Sequence, residues 1–149
     1  MTYSWVEHTS ELELHIEAAS ESAVFEQALR ALGELISGEP GDEPAGAEYN
    51  REPAVAEAGS EALSREVVLV TDDRAALLAA WLDELVYMAE TEDLVPESVT
   101  RLDLGNDDLR ATVRGRRGLP RHLVKGVTYH QLTFERAGEG FRATAVLDV

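Results

Sequence analysis

LELHIEAASESAVFEQALRALGELISG, residues 12–38, changes its hydrophobic period once, and that change decides the fold class. Leu12, Leu14, Ile16 and Ala18 alternate with Glu13, His15 and Glu17, the two-residue period of a strand with one wet face. From Val24 the apolar residues recur at helical spacing instead, through Phe25, Ala28, Leu29, Leu32, Leu35 and Ile36. Ser20 is placed to cap that helix, and Ser37-Gly38 ends it. A strand running directly into an amphipathic helix is therefore the first unit of the fold.

Upstream, Tyr3 to His8 reads as a further extended segment. Downstream, Gly38 to about Ser60 holds three of the five prolines, many acids and no apolar period, which predicts a mobile acidic loop. Leu63 to Thr71 carries Val67, Val68 and Val70 and reads as a strand leading to a second helix. Thr71 or Asp72 is expected to cap that helix, with Asp72 and Asp73 in its first turn. Ala75, Leu78, Trp81, Leu82, Leu85 and Met88 form its buried stripe, and it should end near Thr91. Val99 to Leu104, a turn at Gly105-Asn106-Asp107-Asp108, and Leu109 to Arg114 make a hairpin. Lys125 to Arg136 alternates through Val127 and Tyr129, then shifts phase to Leu132 and Phe134. A Gly138-Glu139-Gly140 turn leads to the last strand, Phe141 to Val149. This order lacks the regular alternation of a doubly wound fold and predicts an α+β domain, two helices packed on mainly antiparallel or mixed β-sheet.

A chain of 149 residues closes one core, so residues 1–149 are expected to form a single domain. A net charge of -16 repels phosphate backbones and argues against strong direct nucleic-acid binding. With no cysteine, thiolate chemistry and zinc–cysteine sites are excluded, so a metal would be held by oxygen or histidine. The lack of any long apolar run or basic-then-apolar leader points to a cytoplasmic protein without membrane contact. Arg114, Arg116, Arg117 and Arg121 make a basic patch, and Lys125 is the one lysine among 13 basic residues.

Neither a phosphate loop nor paired histidine ligands are present, and His8, His15, His122 and His130 read by default as hydrogen-bonded structural groups. The carboxylates that matter for a hard cation are Glu7, Glu11, Asp83, Glu84 and Asp148, because calcium needs several oxygens converging from different segments. Asp148 stands out through its position beside Val149, where a second anionic group is expected. RHLVKGVTYH, residues 121–130, crowds reactive types together, and Lys125 with His130 is the best case for an enzyme. A strand with a decorated polar face explains the same residues more simply.

Four separated stretches together resemble one family. WVEHTSELELHIEA (5–18) is similar to the archease opening of an aromatic, an acid and HTAD; LLAAWLDELVYM (77–88) resembles its LLYxWLxELLYL; KGVTYHQLTFE (125–135) is similar to KAxTYHxMxxE; and AVLDV (145–149) matches its closing strand. The resemblance implies the SHS2-type fold of archeases, strand-helix-strand-strand units with one nested in another. It also implies a role: a non-enzymatic, chaperone-like activator of the GTP-dependent RNA ligase of tRNA splicing and RNA repair, promoting ligase guanylylation and multiple turnover. Carried over by position, the calcium ligands, or ligands of another divalent cation, are implied to be Glu11, Asp148 and the carboxylate or carbonyl of Val149. Glu84, Lys125 and His130 match recurring family residues and are the candidates for the surface or framework that engages the ligase. Two departures stand out: Glu11 replaces the family aspartate, and the segment from His122 to Lys125 is short and lacks the usual upstream acid. A free-standing enzyme using Lys125 and His130, or a metal-free interaction module, are the competing readings.

Overall fold

The computed structural model describes residues 2–7, 10–38, 62–120 and 124–149; the predicted acidic loop, apart from Gly38, lies outside them. In chain order the elements are β1 (Thr2–Glu7), β2 (Glu11–Ala18), α1 (Glu21–Ser37), β3 (Ala62–Val70), α2 (Arg74–Thr91), β4 (Leu94–Leu104), β5 (Asp108–Arg117), β6 (Gly126–Ala137) and β7 (Gly140–Asp148). The strands divide into two antiparallel sheets, one in the order β1-β2-β7-β6 and the other β3-β5-β4.

Each helix is fixed at its ends by the chemistry of its flanks. Ser20 Oγ accepts from the Ala23 amide at 3.1 Å, satisfying a free donor of the first turn of α1. At the other end Gly38 takes the left-handed conformation, φ 75°, which lets its N–H reach the Leu35 carbonyl at 3.2 Å. The cap of α2 is Asp73, not Thr71 or Asp72: its carboxylate accepts from the Ala76 amide at 2.9 Å, and no acid sits within the first turn. The reason is that the Thr71 amide is held by the Asp107 carbonyl at 2.9 Å, so Thr71 stays with the sheet and the cap falls two residues later, at Asp73.

The core lies between the helices and the sheets. Leu14, Ile16 and Ala18 of β2 and Ala143, Ala145 and Leu147 of β7 are buried, confirming the two-residue period. Trp81 and Phe25 meet edge to face with centroids 6.3 Å apart, and the Trp81 indole N–H donates to the Phe25 carbonyl at 2.9 Å. Thus α2 is pinned to α1 by a buried polar contact. Phe134 brings β6 to the same cluster, 5.8 Å from Phe25.

Two strands depart from regularity. β4 starts at Leu94, earlier than the expected Val99, and contains Pro96 and two register shifts; proline is accommodated because β4 is an edge strand. In β6 the pairing passes from Thr128↔Val146 to Thr133↔Thr144, so five steps of β6 advance against two of β7. This loop-out is the physical form of the predicted phase shift.

Candidate metal and partner-facing site

The N-terminal end of β2 and the C-terminal end of β7 are paired neighbours, with Glu11 opposite Asp148. Asp148 also faces Gly126 of β6, making a row of Glu11, Asp148 and Gly126 across three strands. Two main-chain bonds lock the row: the Lys125 N–H donates to the Asp148 carbonyl at 2.7 Å, and the Val149 N–H donates to the Ser10 carbonyl at 3.0 Å. Residues opposed in an antiparallel ladder project to the same face. Because Leu14 and Ile16 of β2 and Ala145 and Leu147 of β7 turn to the core, the alternation places Glu11 and Asp148 on the opposite face. Both are half-buried, and Val149 packs against the core.

Oxygen donors brought together from opposite extremities of the sequence suit a hard cation such as calcium. The Asp148 carbonyl and the Val149 amide are engaged in main-chain bonds, while among the described residues neither the Glu11 nor the Asp148 carboxylate is in an ion pair, which leaves both open to a cation. Among the described residues no three Asp, Glu or His side chains converge, so further oxygens would come from the main chain or water.

The same sheet face carries a polar chain one step along. His15 Nε2 lies 3.0 Å from Glu13 Oε1, and its Nδ1 lies 3.4 Å from Thr144 Oγ1, which makes it a hydrogen-bonded structural group. Val146, opposite Glu13 and Thr128, is 1% exposed although it lies on the face away from the helices. His8 and His122 lie outside the described residues, as does Arg121 of the basic patch.

The loop-out of β6 displays the family-like residues after Thr128. Tyr129 is 62% exposed, His130 is exposed, and the His130 amide donates to Thr128 Oγ1 at 2.9 Å. Gln131 adopts φ 60°, a conformation that costs a non-glycine residue free energy and is concentrated at functional segments. Lys125, at the start of this segment, is exposed while its backbone is fixed to Asp148.

Asp83 and Glu84, adjacent in sequence, serve different sheets. Asp83 Oδ1 accepts from the Val127 amide at 3.2 Å and so ties α2 to the beginning of edge strand β6. Partial burial raises its pKa above the ordinary carboxylate value, and the Val127 hydrogen bond opposes the rise. Glu84 lies 3.8 Å from Arg65 of β3, which also contacts Glu92. Glu84 is thus a framework contact to the second sheet and is not brought to the Glu11–Asp148 row. The positioning role of Asp83 was open to sequence only as one of several notable acids; nothing in the spacing points to Val127.

Comparisons agree with this architecture over almost the full chain. The archease protein family model matches residues 3–149. Protein archease of Methanosarcina acetivorans is 28% identical over 159 residues, covering 99% of this chain and 95% of the relative. The Methanosarcina mazei protein archease is 27% identical over 156 residues, with the same coverage. In fold, the chain is similar to a Methanobacterium thermoautotrophicum protein solved in solution, with a TM-score of 0.67, 24% identity, and 99% and 98% of the two chains covered. It is also similar to a Thermotoga maritima archease described as a possible chaperone, with a TM-score of 0.62, 20% identity, and 97% and 94% covered. With the four motifs set on the α+β scaffold of two helices and antiparallel sheets, and the family model spanning nearly all of it, the chain belongs to the archease family.

Proposed function

We propose that this chain is a cytoplasmic, chaperone-like activator of a GTP-dependent tRNA-splicing and RNA-repair ligase, promoting the ligase's guanylylation and multiple turnover. A calcium ion, or another divalent cation, is held by Glu11, Asp148 and the main chain of Val149. The observation that carries the reading is the Glu11–Asp148 register, supported by the main-chain bonds that fix Ser10, Lys125 and Val149 beside it. When bound, the cation supplies charge neutralisation between carboxylates that otherwise repel.

The chain's own residues then act by presentation. Lys125 stands exposed beside the acidic row, with its backbone fixed by Asp148. Tyr129 and His130 project from the loop-out, held to α2 through the Asp83–Val127 bond just before it. A phosphate-rich RNA is not the first contact of a surface with this charge, and a protein partner that holds the RNA itself is. Glu84 contributes through Arg65, as framework.

The experiment is to mix the pure protein with its cognate ligase and follow guanylate incorporation and product per ligase. Faster guanylylation and more than one product per ligase are expected, with no change in RNA when this protein is alone. Unchanged ligase turnover would defeat the reading. The Lys125→Arg and His130→Ala variants should weaken activation; small-molecule turnover that disappears with Lys125→Arg would instead favour an independent enzyme.

A further inference from the structure

Four strands form the edges of the two sheets, and three of them are guarded against another strand. β4 carries Pro96 and two register shifts, and β6 is interrupted by the loop-out with Gln131 at positive φ. β1 is six residues long, and the rows it begins hold Glu7, Glu13 and Glu17, which repel a second acidic chain. β3 differs in each respect. It pairs with β5 without a register shift over nine residues, Ala62 to Val70, and contains neither proline nor lysine. On its solvent face Val68 and Val70 are 55% and 75% exposed. Among the described residues nothing pairs with its outer edge.

The charge beside β3 also differs from that of the whole chain. Val68 is opposite Arg110, Ser64 opposite Arg114 and Val70 opposite Asp108 on β5, and Asp108 lies 4.0 Å from Arg110, so the carboxylates of this face, Glu66 and Asp108, are matched by two guanidiniums. The neighbouring Arg101 and Arg116 are taken by Asp103 at 2.9 Å and Glu97 at 2.6 Å, which leaves no open basic stripe for a nucleic acid. What remains is a regular edge with two exposed valines and a local charge close to balance, Glu66 and Asp108 against Arg110 and Arg114.

We propose that two copies of this chain join β3 to β3, antiparallel about Val68, to form one continuous six-stranded sheet. In this isologous register Val68 meets Val68 of the other copy, Val67 meets Leu69, and Glu66 meets Val70, so no like charges are opposed. Moving the centre toward the N-terminus is unfavourable: a register centred on Val67 sets Val68 against Glu66, and one centred on Glu66 opposes two carboxylates. The -16 charge on each copy acts against association at long range, so pairing strengthens as salt screens it.

The test is mass by light scattering across a concentration series in low and high salt. A doubling from 16.3 kDa that is more complete in high salt is expected. Val68→Lys places two ammonium groups together and should return the monomer at every salt concentration. Val70→Lys, facing Glu66 of the other copy, should keep or strengthen the dimer. Both positions are exposed, so unchanged circular dichroism and Tm will verify folding. Because the chain has no cysteine, Val68→Cys offers a second readout: oxidation should give a disulfide-linked dimer, whereas Val6→Cys on β1 should not. A monomer at all concentrations, a dimer untouched by Val68→Lys, or loss of the dimer with Val70→Lys would overturn the proposal.

Discussion

Asp148→Asn reverses sign with calcium, and this reversal separates a cation site from a merely acidic surface. Glu11 and Asp148 are directly opposed across β2 and β7 and both half-buried, so in metal-free buffer their charges repel. Two unit charges about 5 Å apart interact by about 0.8 kcal/mol in a water-like medium, and like pairs opposed in sheets cost about 0.2–1 kcal/mol. Removing one charge should therefore stabilise the chelator-treated protein by about 0.5–1 kcal/mol. For a domain of this size that raises Tm by about 2–3 °C. Calcium at 100 times its Kd would stabilise the unsubstituted protein by about 2.7 kcal/mol, enough to reverse the order of the two melting curves. Differential scanning fluorimetry of both proteins, in chelator and across a calcium titration, reads both effects. If calcium raised the Tm of Asp148→Asn as much as that of the original protein, Asp148 would not share the ion; if the variant were no more stable in chelator, the two carboxylates would not be in electrostatic contact.

Asp83 has a raised pKa, so the folded protein binds its proton more tightly than the unfolded chain; its burial lowers stability as pH rises from 3.8 through the raised value. The Asp83→Asn variant keeps an acceptor for Val127 and should lose that part of the pH dependence, measured as the difference between the two urea midpoints from pH 3 to 7. Gly33→Ala would place its Cβ 2.3 Å from the Pro96 carbonyl oxygen, forcing α1 away from β4; a loss of about 1–3 kcal/mol by urea denaturation is expected. Ser20→Ala removes the hydroxyl that accepts from Ala23 and should cost about 1 kcal/mol in the same assay.

Local order was legible in the sequence because each element carries its own period. The Leu12–Ala18 alternation and the Val24–Ile36 helix spacing reappear as buried faces, and the phase shift after Tyr129 reappears as the β6 loop-out. What periodicity cannot report is the neighbour. β2 alternates identically whether it pairs with β1 alone or also with β7, so the division into two sheets depends on contacts between distant segments. The α2 cap fails for a related reason: Thr71, Asp72 and Asp73 are all competent caps, and the choice is made by the Asp107 carbonyl holding Thr71 in the sheet. Likewise Pro96 argues against a strand until β4 is known to be an edge.

The acidic row follows from the same division between pattern and pairing. Alternation within β2 requires Glu11 to face away from Leu12, and alternation within β7 requires Asp148 to face away from Leu147. Each strand therefore fixes the face of its acid independently, although on β7 that face also holds the buried Val146. Insertion of β7 between β2 and β6 makes those sides common, and a shift of one residue would oppose Glu11 to Leu147, setting a carboxylate against a core leucine. Burial of Leu14, Ala145 and Leu147 thus holds the two charges together even though their direct interaction is repulsive. Under the proposed function a cation would relieve this repulsion, which is why metal-dependent stability is the quantity on which that reading turns.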